Sequence, residues 1–181
     1  MEVRFVDPPL YQMTWEEVDA VCGSIALDAD KSFGPNMVVG IGNGGLIPAA
    51  VIASLLGVDM YPCLLSRRRR GAVVSSRPEV IVPVTDKVAG QRVLVVDEMV
   101  ITGETMRMVS ILCKKGKARV VRTACLWAHA ESWKPTWYGF ETFGHIALPW
   151  NALVVSRGRL IPNPALEEYQ DALEMMPDWS K

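Results

Sequence analysis

The chain has 181 residues, half of them hydrophobic, and its 19 basic and 20 acidic side chains leave a formal net charge of −1. That length suits one domain with a substantial core. The charge balance excludes a general nucleic-acid binder or a polybasic membrane anchor. No apolar run follows Met1-Glu2-Val3-Arg4, so no signal peptide is expected, and the longest apolar tract, Leu46 to Leu56, is too short to cross a bilayer. The four cysteines, Cys22, Cys63, Cys113 and Cys125, stand among aliphatic neighbours without a Cys-x-x-Cys pair. They read as small core residues of a reducing, cytoplasmic environment.

The first predicted element is a helix. Thr14-Trp15-Glu16-Glu17 fits a capping box, and Trp15, Val18, Cys22 and Ile25 recur at helical spacing until the pattern fades by Lys31. Met37 to Ile41 is a short apolar strand. Gly42-Asn43-Gly44-Gly45 turns it into a second helix, Leu46 to Leu56, with Pro48 in the first turn and Gly57 as its stop. Such glycines let a backbone approach a ligand closely; taken alone the cluster is equally a structural tight turn.

Met60 to Leu65 reads as a third strand, in which Pro62 points to an edge or a bulge. The run Arg67 to Arg70 follows, readable as a solvated loop or an RNA-binding patch. Glu79 to Val84 is another strand, and Asp86 to Arg92 a turn.

Next come Val93-Leu94-Val95-Val96, a buried parallel strand, then Asp97-Glu98 and, three residues on, Thr102-Gly103-Glu104-Thr105 opening a helix over Met106 to Lys115. Backbone N–H groups, two hydroxyls and a helix N-terminus suit an anion. The two acids suit a sugar diol or a hydrated Mg²⁺. Arg119 to Trp127 is the following strand. Trp127 and Trp150 read as core or rim packing. Ala152 to Val155 is strand-like, Arg157-Gly158-Arg159 a turn, and Pro164 to Met175 a final helix.

The stretch from Val93 to Met106 resembles the phosphoribosyl-pyrophosphate (PRPP) signature of type I phosphoribosyltransferases. Trp137 to Thr142 and His145 to Trp150 are similar to the C-terminal part of 6-oxopurine members, most of all the xanthine–guanine type. The resemblance spans about residues 36–151. It implies an α/β fold, a mostly parallel sheet flanked by helices, in a single domain over residues 1–181. A small hood drawn from the N- and C-terminal segments would cover the base.

By the same resemblance, Asp97 and Glu98 contact ribose and Mg²⁺ and stabilise a cationic transition state. Ile101, Thr102, Gly103, Glu104 and Thr105 wrap the 5′-phosphate, with Glu104 pointing outward. Gly42, Asn43 and Gly44 meet pyrophosphate, and His129, His145 and Ile146 contact the base. The flexible loop of the family falls on Arg67 to Arg70. Two departures stand out: Ile101 replaces the Asp that usually precedes Thr-Gly, and Asn43 replaces a basic residue. His145 and His129 fall where relatives place a purine-stacking tryptophan and the lysine that reads the 6-oxo group. The implied activity is transfer of ribose 5-phosphate from PRPP to a purine-type base in purine salvage, by a cytoplasmic homodimer or homotetramer. The alternatives are a PRPP- or nucleotide-binding regulator and a transferase for a modified base.

Overall fold

A computed structural model describes residues 1–6, 10–66, 68–69, 72–73 and 79–167. The N-terminal half comprises β1 (Arg4–Phe5), β2 (Leu10–Gln12), α1 (Trp15–Ser32), β3 (Met37–Gly42), α2 (Leu46–Leu56), β4 (Asp59–Ser66), β5 (Arg68–Arg69), β6 (Ala72–Val73) and β7 (Glu79–Val82). There follow β8 (Arg92–Val100), α3 (Glu104–Lys115), β9 (Val120–His129), β10 (Trp137–Thr142), β11 (His145–Ala147), β12 (Leu153–Ser156) and β13 (Arg159–Pro162).

Seven strands form one sheet in the order β1-β10-β9-β8-β3-β4-β7. All its pairings are parallel except β4 with β7. Alternation along β8 explains why both faces need cover. Leu94 and Val96 pack with α1 and α2, while Val93 and Val95 pack with Met106, Val109 and Cys113 of α3. The expected α/β architecture is therefore present. Helices on both faces leave the C-terminal strand ends open, where such sheets place ligands.

Local chemistry sets the element ends. Thr14 Oγ1 accepts from Glu17 N at 3.2 Å and Glu17 Oε2 accepts from Thr14 N at 3.0 Å, so the capping box starts α1 as its sequence requires. Thr14→Ala should lower stability by about 1 kcal/mol, read by urea denaturation. Pro62 lies where β4 is paired only with β3, an edge position as one of the two readings has it; the register shift lies further along, between Leu64 and Leu65, where the partner β7 skips Ile81.

Other bounds differ from expectation. β8 runs on through Val100, because Asp97, Met99 and Val100 pair with Cys125, Trp127 and Ala128. A 3-10 turn occupies Pro164–Leu166, and the remainder of the expected final helix, apart from Glu167, lies outside the described residues. Arg68–Arg69 pairs with Ala72–Val73 in a hairpin, whereas Arg67 and Arg70 lie outside the described residues. Beyond the main sheet, β2 pairs with β11 and β12 with β13. The N-terminal segment is thereby tied to the segment after β10.

All four cysteines are free and buried. Burial pushes the thiols of Cys22 and Cys113 up to about 12 and that of Cys63 to about 11. A disulfide-exchange reagent should therefore label none of them in the native protein at pH 8 and all four in denaturant. No described helix is long and apolar enough to cross a membrane.

Candidate active site

At the C-terminal ends of β3 and β8 lies a cleft of about 370 Å³. It collects Gly42, Asn43 and Gly44 from the turn before α2, Asp97 and Glu98 from β8, and Ile101, Thr102, Gly103, Glu104 and Thr105 from the turn before α3. Residues separated by more than fifty positions in the sequence thus meet because β3 and β8 are adjacent parallel strands.

Gly103 has φ +84°, the left-handed conformation that glycine adopts without strain, and it starts α3. Its Cα faces Trp133, whose Cβ and Cε3 would lie 3.0 Å from any added Cβ. Thr102 Oγ1 accepts from Glu104 N at 3.3 Å, which draws the loop tight around the helix N-terminus. Glu104 is exposed and contributes to the cleft's lining. Ile101 is 47% exposed at the cleft, a hydrophobic side chain where the resembled enzymes carry a carboxylate.

The acids lean on the start of α2. Asp97 Oδ1 accepts from Glu98 N at 2.8 Å and lies 2.8 Å from where a Cβ on Gly45 would stand. Glu98 Oε2 would lie 1.8 Å from a Cβ on Gly44, so its carboxylate fills the space that a side chain there would need. The same oxygen accepts from Trp150 Nε1 at 2.7 Å. Burial raises the Asp97 carboxyl to about 7, with the hydrogen bond from Glu98 N opposing the rise. Burial also raises Glu98, against the effect of the indole bond.

Among the described residues no three His, Cys, Asp or Glu side chains form a metal cage. Two carboxylates beside the N-terminus of α3 do fit Mg²⁺, which uses one or two protein carboxylates and completes its shell with water and substrate phosphates.

His129, His145 and Ile146 do not line this cleft. His129 Nε2 lies 3.0 Å from Phe143 O and its Nδ1 accepts from Glu131 N at 3.3 Å, so the Nε2–H tautomer satisfies both partners. His145 stands edge-on to Trp127 at 5.3 Å. Ile146 is fully buried, in a strand paired with β2. Trp127 is fully buried, as expected of a core residue; Trp150 is not mere packing, because it bonds a cleft acid.

Sequence reasoning missed Lys134, whose Nζ donates to His129 O at 2.7 Å and Ala130 O at 2.9 Å and pairs with Glu141 at 3.2 Å. It also missed Phe143, 58% exposed, with its ring 6.2 Å from His129 and 5.9 Å from Phe5. Neither carries a periodicity or motif that would single it out.

Residues 14–155 match the phosphoribosyl transferase domain family. A curated relative, the xanthine-guanine phosphoribosyltransferase of Idiomarina loihiensis, is 28% identical over 108 residues, covering 58% of this chain and 65% of the relative. The chain's match thus spans a little under two-thirds of that protein's length. Among solved structures, a purine phosphoribosyltransferase from Pyrococcus horikoshii has 26% identity and a TM-score of 0.71, covering 82% of this chain and 99% of the other. The xanthine-guanine-hypoxanthine phosphoribosyltransferase of Helicobacter pylori, 15% identical with a TM-score of 0.64 over 90% of this chain and 99% of the other, shares the fold.

Proposed function

From the premise that the chain belongs to the phosphoribosyl transferase domain family, we propose that it transfers ribose 5-phosphate from PRPP to a purine-type base, releasing pyrophosphate. The observation that carries this reading is the single cleft joining an anion loop at the N-terminus of α3, two carboxylates and a glycine turn. Anion, sugar and pyrophosphate can then be held side by side. The 26% identity to a purine phosphoribosyltransferase supports a purine-type acceptor, and the 28% identity over 108 residues to a xanthine-guanine enzyme makes a 6-oxopurine the favoured one.

In this reading Thr102, Gly103 and Thr105 bind the 5′-phosphate through main-chain N–H groups and hydroxyls, helped by the helix dipole. Gly42, Asn43 and Gly44 meet the pyrophosphate. Asp97 and Glu98 hold the ribose hydroxyls and would hold Mg²⁺, which supplies charge neutralisation for the departing pyrophosphate. Their negative charge also stabilises the oxocarbenium-like anomeric carbon. The base lies toward His129, Phe143 and His145, under a hood built from the β2–β11 pair and neighbouring N- and C-terminal segments. Residues 1–181 act as one domain, in the cytoplasm, as a homodimer or homotetramer; light scattering checks the assembly.

Calorimetric titration with PRPP, with and without Mg²⁺, tests the site. Binding at least about tenfold tighter with the metal is the expected result, since carboxylates and phosphates otherwise repel. Absence of binding under both conditions overturns the reading.

A second reading, binding of PRPP or a nucleotide without turnover, has its own observations. Ile101 cannot take a proton, and both ring nitrogens of His129 already have partners. Under it, PRPP binds and no acceptor yields a product.

A further inference from the structure

Trp150 lies outside the cleft's lining, yet it is bonded to one of the cleft's two acids. Its Nε1–H donates to Glu98 Oε2 at 2.7 Å, across 52 positions of sequence. Three independent features hold that contact in place. Gly44 leaves the volume that the Glu98 carboxylate fills, since a Cβ there would stand 1.8 Å from the bonded oxygen. The turn that carries Trp150 is closed by Asn151 N to Leu148 O at 3.0 Å and Leu148 N to Asn151 Oδ1 at 2.8 Å, and Leu148 is fully buried. Trp15, in the first turn of α1, sets its ring 5.6 Å from that of Trp150 at 45°.

We infer that Trp150 is a positioning residue for Glu98: its indole N–H fixes one carboxylate oxygen and leaves the other to the bound sugar phosphate. The inference rests on the PRPP reading above. Glutamate has three rotatable side-chain bonds, and a free one would sample many poses in a cleft this open. A hydrogen bond to a charged acceptor is strong enough to select one of them before substrate arrives. The segment after β11 and the start of α1 are thereby linked to the acid that PRPP would meet.

The test is a double-mutant cycle on Mg²⁺–PRPP binding, with calorimetry as the readout. Trp150→Phe removes the donor and keeps an aromatic ring against Trp15. It should weaken PRPP binding about tenfold in the wild-type background and less than roughly twofold beside Glu98→Ala, because the donor acts only through that carboxylate. An equal loss in both backgrounds assigns Trp150 to packing and overturns the inference, as does no loss in the first.

Trp150→His, which keeps an N–H and gives up ring area, should bind PRPP more tightly than Trp150→Phe; the reverse order also overturns it. Should a variant fail to fold, or Glu98→Ala bind too weakly to measure, the indole ¹H–¹⁵N resonance of Trp150 decides. An upfield move in Glu98→Ala upholds the bond, and an unchanged signal contradicts it. Failure of the wild-type chain to bind PRPP removes the reading itself, and the inference with it. Binding with additive losses removes the inference alone.

Discussion

Asp97→Asn should cut PRPP-dependent turnover by about 10²- to 10³-fold while making the ligand-free protein more stable at pH 8. The first effect follows from removing a negative charge at the place where the anomeric carbon becomes cationic. The second follows from linkage. Burial raises the Asp97 carboxyl from 3.8 to about 7, so between these values the folded chain holds a proton that the unfolded chain has lost.

Stability contributed by this group therefore falls as pH rises through that window, and the penalty is complete above pH 7. Asparagine keeps an acceptor for Glu98 N and carries no charge to desolvate. The variant should gain on the order of 2–4 kcal/mol at pH 8 and almost nothing at pH 4, read by urea unfolding at the two values. Equal stability of both proteins at pH 8 would contradict the buried, reluctant ionisation assigned to Asp97.

Gly44→Ala should lower PRPP-dependent kcat/KM by about 10²-fold, although the change adds one methyl group. The added Cβ would fall 1.8 Å from Glu98 Oε2 and 2.2 Å from its carboxyl carbon. Of the two, the side chain of Glu98 yields more easily than the turn, whose carbonyls at Asn43 and Gly44 accept from Leu46 N and Ile47 N at the start of α2. Glu98 is then driven off Trp150 and out of its pose. The fold should survive with a loss of about 1–3 kcal/mol. Thermal unfolding beside steady-state kinetics separates the two effects; wild-type kinetics would show that Glu98 needs no fixed place.

These outcomes bear on how far residues alone specify the site. The turn before α3 and the acids are legible because their pattern is local: Thr102, Gly103 and Thr105 stand together at a helix start, and Asp97 and Glu98 follow the buried run of a strand. The capping box at Thr14 and Glu17 is legible for the same reason. The end of β8 is not, because strand pairing with β9, a tertiary contact, carries it past the apolar run to Val100.

Base-side residues are harder still. Phe143 O and Glu131 N engage the ring of His129, and no spacing rule pairs residues fourteen positions apart in that way. The lysine of this region is Lys134, and it is committed to two main-chain carbonyls and Glu141. Trp150 reads as packing because a tryptophan beside proline carries no sign of a distant carboxylate.

On the proposed reading, this cleft makes a nucleotide. Incubation of the protein with PRPP, Mg²⁺ and hypoxanthine, guanine, xanthine, adenine, uracil or orotate, followed by mass spectrometry, tests it directly. A nucleoside monophosphate from one or more 6-oxopurines, absent with Asp97→Asn, is the predicted result. A full panel without product, from a chain that still binds PRPP, would contradict the transferase account and leave a binding protein in its place.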